Sequence, residues 1–218
     1  MKRVELKTTT NENFIGCWQK KSDKICKDII NFYEENSQSS KSGTSGSQVN
    51  EEVKLSTDLT INPKDLVDKK YSVFVEYMDF LKKCHEDYLQ QWPSLKTMFG
   101  KVHCGSFNIQ KYNEGGHFKK FHMERTSILN SSRIFAWMTY LNNVEKGGHT
   151  DFLYYDISLQ PKPGLTIIWP AEWTHAHRGN EVEKGIKYII TGWFHMSDEL
   201  EYDRANPNYG VPLSRELK

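Results

Sequence analysis

The chain has 218 residues, with 29 Lys or Arg and 28 Asp or Glu, so its formal net charge is only +1. This length suits a single domain with a full hydrophobic core, and the mixed charges argue against a nucleic-acid-binding protein or one held on an acidic membrane surface. Since no stretch is apolar enough for a signal peptide or a transmembrane helix, we expect a cytoplasmic protein that does not bind membranes.

The four cysteines are dispersed along the chain without a C-x-x-C pair. They are Cys17, Cys26, Cys84 and Cys104. Such spacing is typical of free thiols in a reducing compartment and not of a zinc site or a disulfide framework.

Two amphipathic helices are expected in the first half of the chain. Apolar residues at helical spacing predict one helix over residues 22–35 and a longer one that includes Phe74 and Tyr88 and ends near Trp92 and Pro93. Between them, residues 36–52 begin with the Ser- and Gly-rich run NSQSSKSGTSGSQVN, which is typical of a flexible loop. We therefore expect residues 1–100 to form a helical layer.

From Val102 onward, short runs of β-branched and aromatic residues alternate with Gly, Asn and Pro. About eight such runs predict a sandwich or barrel. We expect an α+β fold, in which a double-stranded β-helix (jelly roll) of residues 101–196 carries the N-terminal helices on one sheet. Residues 197–218 would form a C-terminal tail of the same domain.

Two segments of the predicted barrel carry candidate metal ligands. The stretch FHMER places His122 and Glu124 two residues apart, so on a strand both side chains would face the same way. A second stretch, THAHR, holds His175 and His177, which would likewise share a face. Two histidines and one carboxylate on adjacent strands form a set that suits non-haem Fe(II) and leaves three coordination positions open. Strand direction alone does not choose between His175 and His177.

Lys187 is the third element of the pattern. On the strand that begins near Ile186, alternation predicts that Lys187, Ile189, Thr191 and Trp193 share one face. A lysine that faces into a barrel is costly unless it meets an anion or reaches solvent at the end of the strand. A carboxylate of a bound small molecule would supply such an anion.

Taken together, several stretches resemble one enzyme family. They are YNEGGHFKKFHME, RIFAWMTYLNNVEKGGHTDF, PKPGLTIIWP and HRGNEVEKGIKYIITGW. In this order and spacing they resemble the catalytic domain of prolyl 4-hydroxylase-like oxygenases, which depend on 2-oxoglutarate and Fe(II). The resemblance covers roughly Val102 to Phe194.

The resemblance implies a role for individual residues. Iron ligands would be His122, Glu124 and His177, with Glu124 standing where the family has Asp. His175 would be a neighbour of the ligands or of the substrate. Lys187 would bind the distal carboxylate of 2-oxoglutarate, and the remaining cosubstrate pocket would be formed by Thr150, Tyr140, Tyr112 and Trp193. Arg133 and Trp137 are weaker candidates that could equally be packing residues, and Trp137 and Trp173 could line a peptide groove.

The implied activity is hydroxylation of an unactivated C–H bond, with Fe(II) and 2-oxoglutarate as cofactors, O2 as cosubstrate and ascorbate as a candidate reductant. A prolyl residue of a peptide or protein is the expected target, followed by a free small amino acid. Two alternatives remain: a non-catalytic metal-binding or interaction module on the same barrel, and a nucleic-acid oxidative demethylase, against which the balanced charge argues.

Overall fold

The computed structural model describes residues 1–7, 12–46, 48–196 and 211–212. The expected tail of residues 197–218 therefore lies outside the described residues except for two positions. Three α-helices are present in the described part: α1 (Lys24–Glu35), α2 (Ser72–Gln91) and α3 (Leu95–Phe99). The first two confirm the helices predicted from apolar spacing. Within the described residues, no helix is both long and apolar enough to span a membrane.

The described strands range from two to ten residues in length and pair in an antiparallel manner throughout. They are β1 (Lys2–Arg3), β2 (Gly16–Gln19), β3 (Lys41–Ser42), β4 (Lys54–Leu55), β5 (Thr57–Ile61), β6 (Val102–Cys104), β7 (Phe107–Tyr112), β8 (His117–His122), β9 (Arg133–Tyr140), β10 (Lys146–Gly147), β11 (Thr150–Phe152), β12 (Ile157–Leu159), β13 (Leu165–Pro170), β14 (His177–Gly179), β15 (Val182–Lys184), β16 (Lys187–Met196) and β17 (Val211–Pro212).

Two sheets dominate this architecture. The main sheet has the order β1-β2-β13-β9-β16-β7-β5-β3, with β6 and β17 attached beside β16. The minor sheet has the order β12-β11-β14-β8-β4, and β10 and β15 form a separate ribbon. Helices together with antiparallel sheets confirm the α+β class.

The first hundred residues differ from the helical layer that we expected, because they contain strands as well as helices. Strands β2 and β5 extend the main sheet on both sides, by pairing with β13 and β7 respectively. The Ser- and Gly-rich segment also contains more order than a loop, since it forms a turn of 3-10 helix at Ser37–Ser39 and strand β3, which pairs with β5. These strands are two to five residues long, which is too short for a clear alternation of apolar and polar residues.

The main sheet has a different hydrophobic cluster on each face. On one face, α1 and α2 pack against residues such as Phe107, Trp137 and Phe194. On the other face, Met138, Ile189 and Trp169 pack against the minor sheet through Phe152. The second face is therefore the inner wall of the space between the two sheets.

All four cysteines are buried free thiols in this structure, as the sequence predicted. Burial raises the pKa of Cys17 to about 12, and that of Cys26 to about 11. Since the thiolate is the reactive form, these side chains serve as packing groups.

Candidate metal and cosubstrate site

His122 and His177 are direct partners on the neighbouring strands β8 and β14. Their rings lie 4.4 Å apart between centroids. Glu124 approaches from beyond the end of β8, with its Oε1 atom 3.2 Å from His177 Nε2 and 3.9 Å from His122 Nε2. One ligand-type atom from each of the three residues lies within 4.8 Å of the others. The candidate ligands predicted from the sequence thus meet at one point.

Backbone carbonyls determine which nitrogen of each histidine faces that point. His122 Nδ1 lies 2.9 Å from the carbonyl oxygen of Lys120, and His177 Nδ1 lies 3.0 Å from that of His175. A carbonyl can only accept a hydrogen bond, so each Nδ1 carries the proton when the ring is neutral. Each Nε2 lone pair is then available to a metal, which is the usual arrangement for metal-binding histidines.

The ionisation of these groups also suits a cation. Burial, together with the neighbouring His177, lowers the pKa of His122 to about 4, so the ring is neutral at pH 7. Burial alone would raise the pKa of Glu124, but hydrogen bonding and charge from His177, the charge of His122 and the Trp193 N–H together lower it to about 2. With a metal bound, the site would offer one imidazole nitrogen from each histidine and one carboxylate, a donor set that fits Fe(II).

Two expectations about local structure were wrong. Glu124 does not lie on the strand with His122, because β8 ends at His122 and the Glu124 backbone N–H bonds to the carbonyl of Ala171 at 3.2 Å. His175 does not share a strand face with His177, because it ends a turn of 3-10 helix, Trp173–His175. Its side chain bonds through Nε2 to the carbonyl oxygen of Asn13 at 2.8 Å. His175 therefore contacts His177 through its backbone carbonyl.

Lys187 is buried on the inner face of the main sheet, with 3% of its surface exposed. Its Nζ atom lies 5.2 Å from the ring centroid of Tyr112 and 5.5 Å from that of Tyr140. Among the described residues, no carboxylate lies within ion-pair distance of this amine. Burial accordingly lowers its pKa to about 7. A buried ammonium group without an anion is a ready site for a carboxylate ligand.

The other predicted pocket residues surround this amine or bond to its neighbours. The hydroxyl of Tyr140 donates to Thr150 Oγ1 at 2.6 Å, and both residues are buried. The Lys187 stem passes beneath Gly148, where an added Cβ would lie 3.4 Å from its Cδ atom. Gly148 has a φ of +68°, a conformation that favours glycine. The loop can therefore lie close over the lysine.

A buried polar chain behind Tyr112 was not predicted. The Tyr112 hydroxyl donates to Gln110 Oε1 at 2.7 Å, and Gln110 donates to Asp58 Oδ2 at 3.0 Å. The same Asp58 oxygen binds Lys54 at 2.6 Å, and Lys54 is 4% exposed. No sequence signal connects residues so far apart in the chain, because the pairing of β5 with β7 brings them together.

Trp193 and Arg133 contact Glu124 directly. The Trp193 indole Nε1 donates to Glu124 Oε2 at 2.7 Å. Arg133, one of the weaker candidates, donates through Nη1 to the Glu124 carbonyl oxygen at 3.0 Å. Trp137 belongs instead to the helix-facing cluster and is fully buried, so it cannot line a groove as we had suggested.

A cleft of about 370 Å³ opens beside His122. Tyr154 and Trp173 line it and remain 54% and 62% exposed, with their rings nearly perpendicular and 6.1 Å apart. Trp173 was expected at such a rim. The cleft gives a bulky molecule access to the side of the site on which His122 lies.

Comparison with known proteins agrees with this geometry. Residues 107–195 match the family model described as the 2OG-Fe(II) oxygenase superfamily, where 2OG is 2-oxoglutarate. This part of the chain is thus similar to that superfamily. The resemblance to prolyl 4-hydroxylase-like oxygenases predicted from the sequence is thereby confirmed, and the superfamily name implies Fe(II) and 2-oxoglutarate as cofactors.

Curated relatives are prolyl 4-hydroxylases. The chain is 30% identical over 141 residues to a probable prolyl 4-hydroxylase 9 of Arabidopsis thaliana. The aligned region covers 53% of this chain and 49% of that protein. It is 26% identical over 101 residues to the prolyl 4-hydroxylase subunit alpha-3 of Homo sapiens, covering 40% of this chain and 19% of that one. The chain thus spans about half the length, or less, of these relatives.

Solved structures show the same fold at low identity. A viral collagen prolyl hydroxylase of Paramecium bursaria Chlorella virus-1, in complex with 2-oxoglutarate, gives a TM-score of 0.62 at 18% identity, covering 87% of this chain and 99% of that one. A Trichoplax adhaerens prolyl hydroxylase, in complex with a peptide of hypoxia inducible factor, gives 0.67 at 13% identity and covers 85% of each chain.

Proposed function

We propose that this protein is an Fe(II)- and 2-oxoglutarate-dependent dioxygenase that hydroxylates an unactivated C–H bond, on a prolyl residue of a peptide or protein. The observation that carries the proposal is the convergence of His122 Nε2, Glu124 Oε1 and His177 Nε2, with both Nδ1 atoms facing carbonyls. The superfamily match and the prolyl 4-hydroxylase relatives support the same activity.

In this proposal, each group of the chain has a defined task. His122, Glu124 and His177 would hold Fe(II), which supplies the activation of O2 that hydroxylation requires. Lys187 would bind the distal carboxylate of 2-oxoglutarate, and Tyr112 and Tyr140 would shield that ion pair from water. The overall reaction converts 2-oxoglutarate and O2 to succinate and CO2, and adds one oxygen atom to the substrate.

The packing of the two sheets supports a more specific description of the fold. We assign a double-stranded β-helix to the central strands β13, β9, β16 and β7 and the minor-sheet strands β12, β11, β14 and β8. The apolar cluster between the sheets supports this assignment. Since β2 and β5 complete the main sheet, the proposed catalytic domain extends beyond residues 101–196.

The cleft beside His122 favours a peptide over a free amino acid as substrate. Its volume of about 370 Å³ exceeds the needs of one proline, and its exposed aromatic pair, Tyr154 and Trp173, offers flat apolar surfaces. Proline-rich segments bind to aromatic-lined grooves because their extended conformation is already formed before binding. The likeness to a hydroxylase solved with a peptide supports this choice.

The test is a turnover assay with Fe(II), 2-oxoglutarate and ascorbate. Proline-containing peptides, free proline and a methylated oligonucleotide would be offered separately, and succinate and substrate oxidation measured by mass spectrometry. We expect peptide oxidation coupled to succinate formation, with none in the His177→Ala variant. Demethylation of the oligonucleotide would support the alternative enzyme class. Metal binding without any 2-oxoglutarate consumption would identify a non-catalytic module.

A further inference from the structure

The two oxygens of the Glu124 carboxylate have different partners. Oε1 faces the histidines, at 3.2 Å from His177 Nε2, whereas Oε2 accepts a hydrogen bond of 2.7 Å from the Trp193 indole. The side chain is only 13% exposed, so water competes poorly for either oxygen. One oxygen is thus directed to the metal position and the other is engaged away from it.

Arg133 fixes the rest of this arrangement. Its guanidinium carbon lies 3.5 Å from the Trp193 ring centroid, which is a stacking distance. Its Nη1 atom donates to the Glu124 carbonyl at 3.0 Å and lies 3.9 Å from Oε2. Trp193 thereby has little freedom to turn, and the Glu124 backbone is held as well as its carboxylate.

We propose that Trp193 and Arg133 are positioning residues for Glu124. Together they form a clamp, which holds the Glu124 carboxylate so that it binds the metal as a monodentate ligand. The inference rests on the proposed function, since it concerns the metal centre. Because Oε2 accepts from Trp193 while Oε1 faces the histidines, the carboxylate would fill one coordination position and leave three open for cosubstrates. Mutation of a residue that hydrogen-bonds to a metal-binding carboxylate typically weakens metal affinity by about 10- to 100-fold.

The clamp also gives a reason for the glutamate that stands where the family has aspartate. Glu124 leaves the chain after β8 has ended, and its longer side chain reaches the histidines and Trp193 at the same time. An aspartate on the same backbone lacks one methylene and cannot maintain both contacts. In this chain, Glu124→Asp is therefore expected to weaken the site, although Asp is the family's residue.

The test is Mn(II) binding in the absence of 2-oxoglutarate, measured by calorimetry and by the electron paramagnetic resonance signal of free Mn(II). We expect Trp193→Phe to weaken binding by about 10- to 100-fold. The matched control is Trp169→Phe: Trp169 is also buried and packs 4.9 Å from the His177 ring, but its indole N–H has no hydrogen-bond partner among the described residues. Its affinity should stay close to wild type.

A double-mutant cycle separates positioning from general packing. Because both changes break the same contact, Trp193→Phe combined with Glu124→Asp should cost clearly less than the sum of the two single changes. Thermal unfolding without metal identifies any variant that is merely misfolded. If Trp193→Phe does not fold, Arg133→Met and Glu124→Asp serve as the test, and both should bind Mn(II) more weakly than wild type.

Several results would overturn the inference. The clamp would be contradicted, while the proposed function stands, if wild type and Trp193→Phe bound Mn(II) with equal affinity. It would also be contradicted if Trp193→Phe and Trp169→Phe lost Mn(II) affinity equally, or if Glu124→Asp bound Mn(II) as tightly as wild type. A folded wild-type protein that binds no Mn(II) would contradict the proposed function together with the clamp.

Discussion

Strand β16 separates two kinds of environment by the alternation of its side chains. Ile190 and Phe194 face the helices and are fully buried in an apolar cluster. Lys187 and Trp193 face the minor sheet. Lys187 has no carboxylate partner among the described residues, and Trp193 donates a hydrogen bond to the candidate metal ligand Glu124. Residues one position apart thus contribute to different properties: the helix face stabilises the fold, and the inner face keeps polar groups available for binding.

Mutation of the metal ligands on the inner wall should give the largest difference between the two faces of the main sheet. His177→Ala should abolish metal binding, an effect larger than the roughly 10- to 100-fold loss typical when a partner of a ligand is removed. His175→Ala should keep the metal, because His175 orients His177 through a backbone carbonyl that alanine retains. It should lower thermal stability instead, through loss of the bond to Asn13. Mn(II) titration and thermal unfolding of both variants would check this.

The helix face should respond in the opposite way. Phe194 is fully buried against His85 and Trp137, so Phe194→Ala should lower the free energy of unfolding by about 3–5 kcal/mol. Mn(II) affinity, measured where the variant is still folded, should stay near wild type. Denaturant unfolding gives the first quantity and calorimetry the second. A large loss of metal affinity in the folded variant would mean that the two faces are not independent.

Lys187→Met should change binding and stability in opposite directions: 2-oxoglutarate binding should weaken, whereas the free energy of unfolding should rise. Loss of the buried cation should weaken 2-oxoglutarate binding by about 2–5 kcal/mol. Replacing an uncompensated buried charge by an apolar side chain should raise the free energy of unfolding of the unliganded protein by about 1–4 kcal/mol. Calorimetry with Mn(II) present and urea unfolding would measure the two effects. A variant that is both less stable and unchanged in affinity would show that Lys187 is a structural residue.

The pH dependence of 2-oxoglutarate binding should show the smallest effect. Burial lowers the pKa of Lys187 to about 7 in the free protein, and a bound carboxylate should raise it. Below pH 7 the amine is already charged, so affinity is flat; above pH 7 binding must take up a proton, and affinity should fall by up to about tenfold per pH unit. Calorimetry in buffers of different ionisation enthalpy would detect this uptake. Lys187→Arg, which stays charged, should abolish it.

How much of this could be predicted from the sequence differs along the chain. The helices α1 and α2 have apolar residues at regular helical spacing, and the inward face of Lys187 follows from alternation on one long strand. The positions of Glu124 and His175 did not follow, because β8 ends at His122 and a 3-10 turn ends at His175. Strand ends depend on backbone hydrogen bonds from elsewhere in the fold, and local residue patterns do not contain that information.

Long-range contacts at the site were out of reach for the same reason. The Trp193 bond to Glu124 joins residues 69 positions apart. The link from Tyr112 to Asp58 depends on the register between β7 and a five-residue strand that the sequence did not predict. Residue types identified which groups could perform the chemistry, whereas their mutual contacts follow from strand register.

The most direct test of the account is a crystal structure of the protein with Mn(II) and 2-oxoglutarate. We predict one metal ion bound by His122 Nε2, His177 Nε2 and a single oxygen of Glu124, with the distal carboxylate of 2-oxoglutarate on Lys187 Nζ between Tyr112 and Tyr140. A metal ion bound elsewhere, or a 2-oxoglutarate molecule whose distal carboxylate does not contact Lys187, would contradict it.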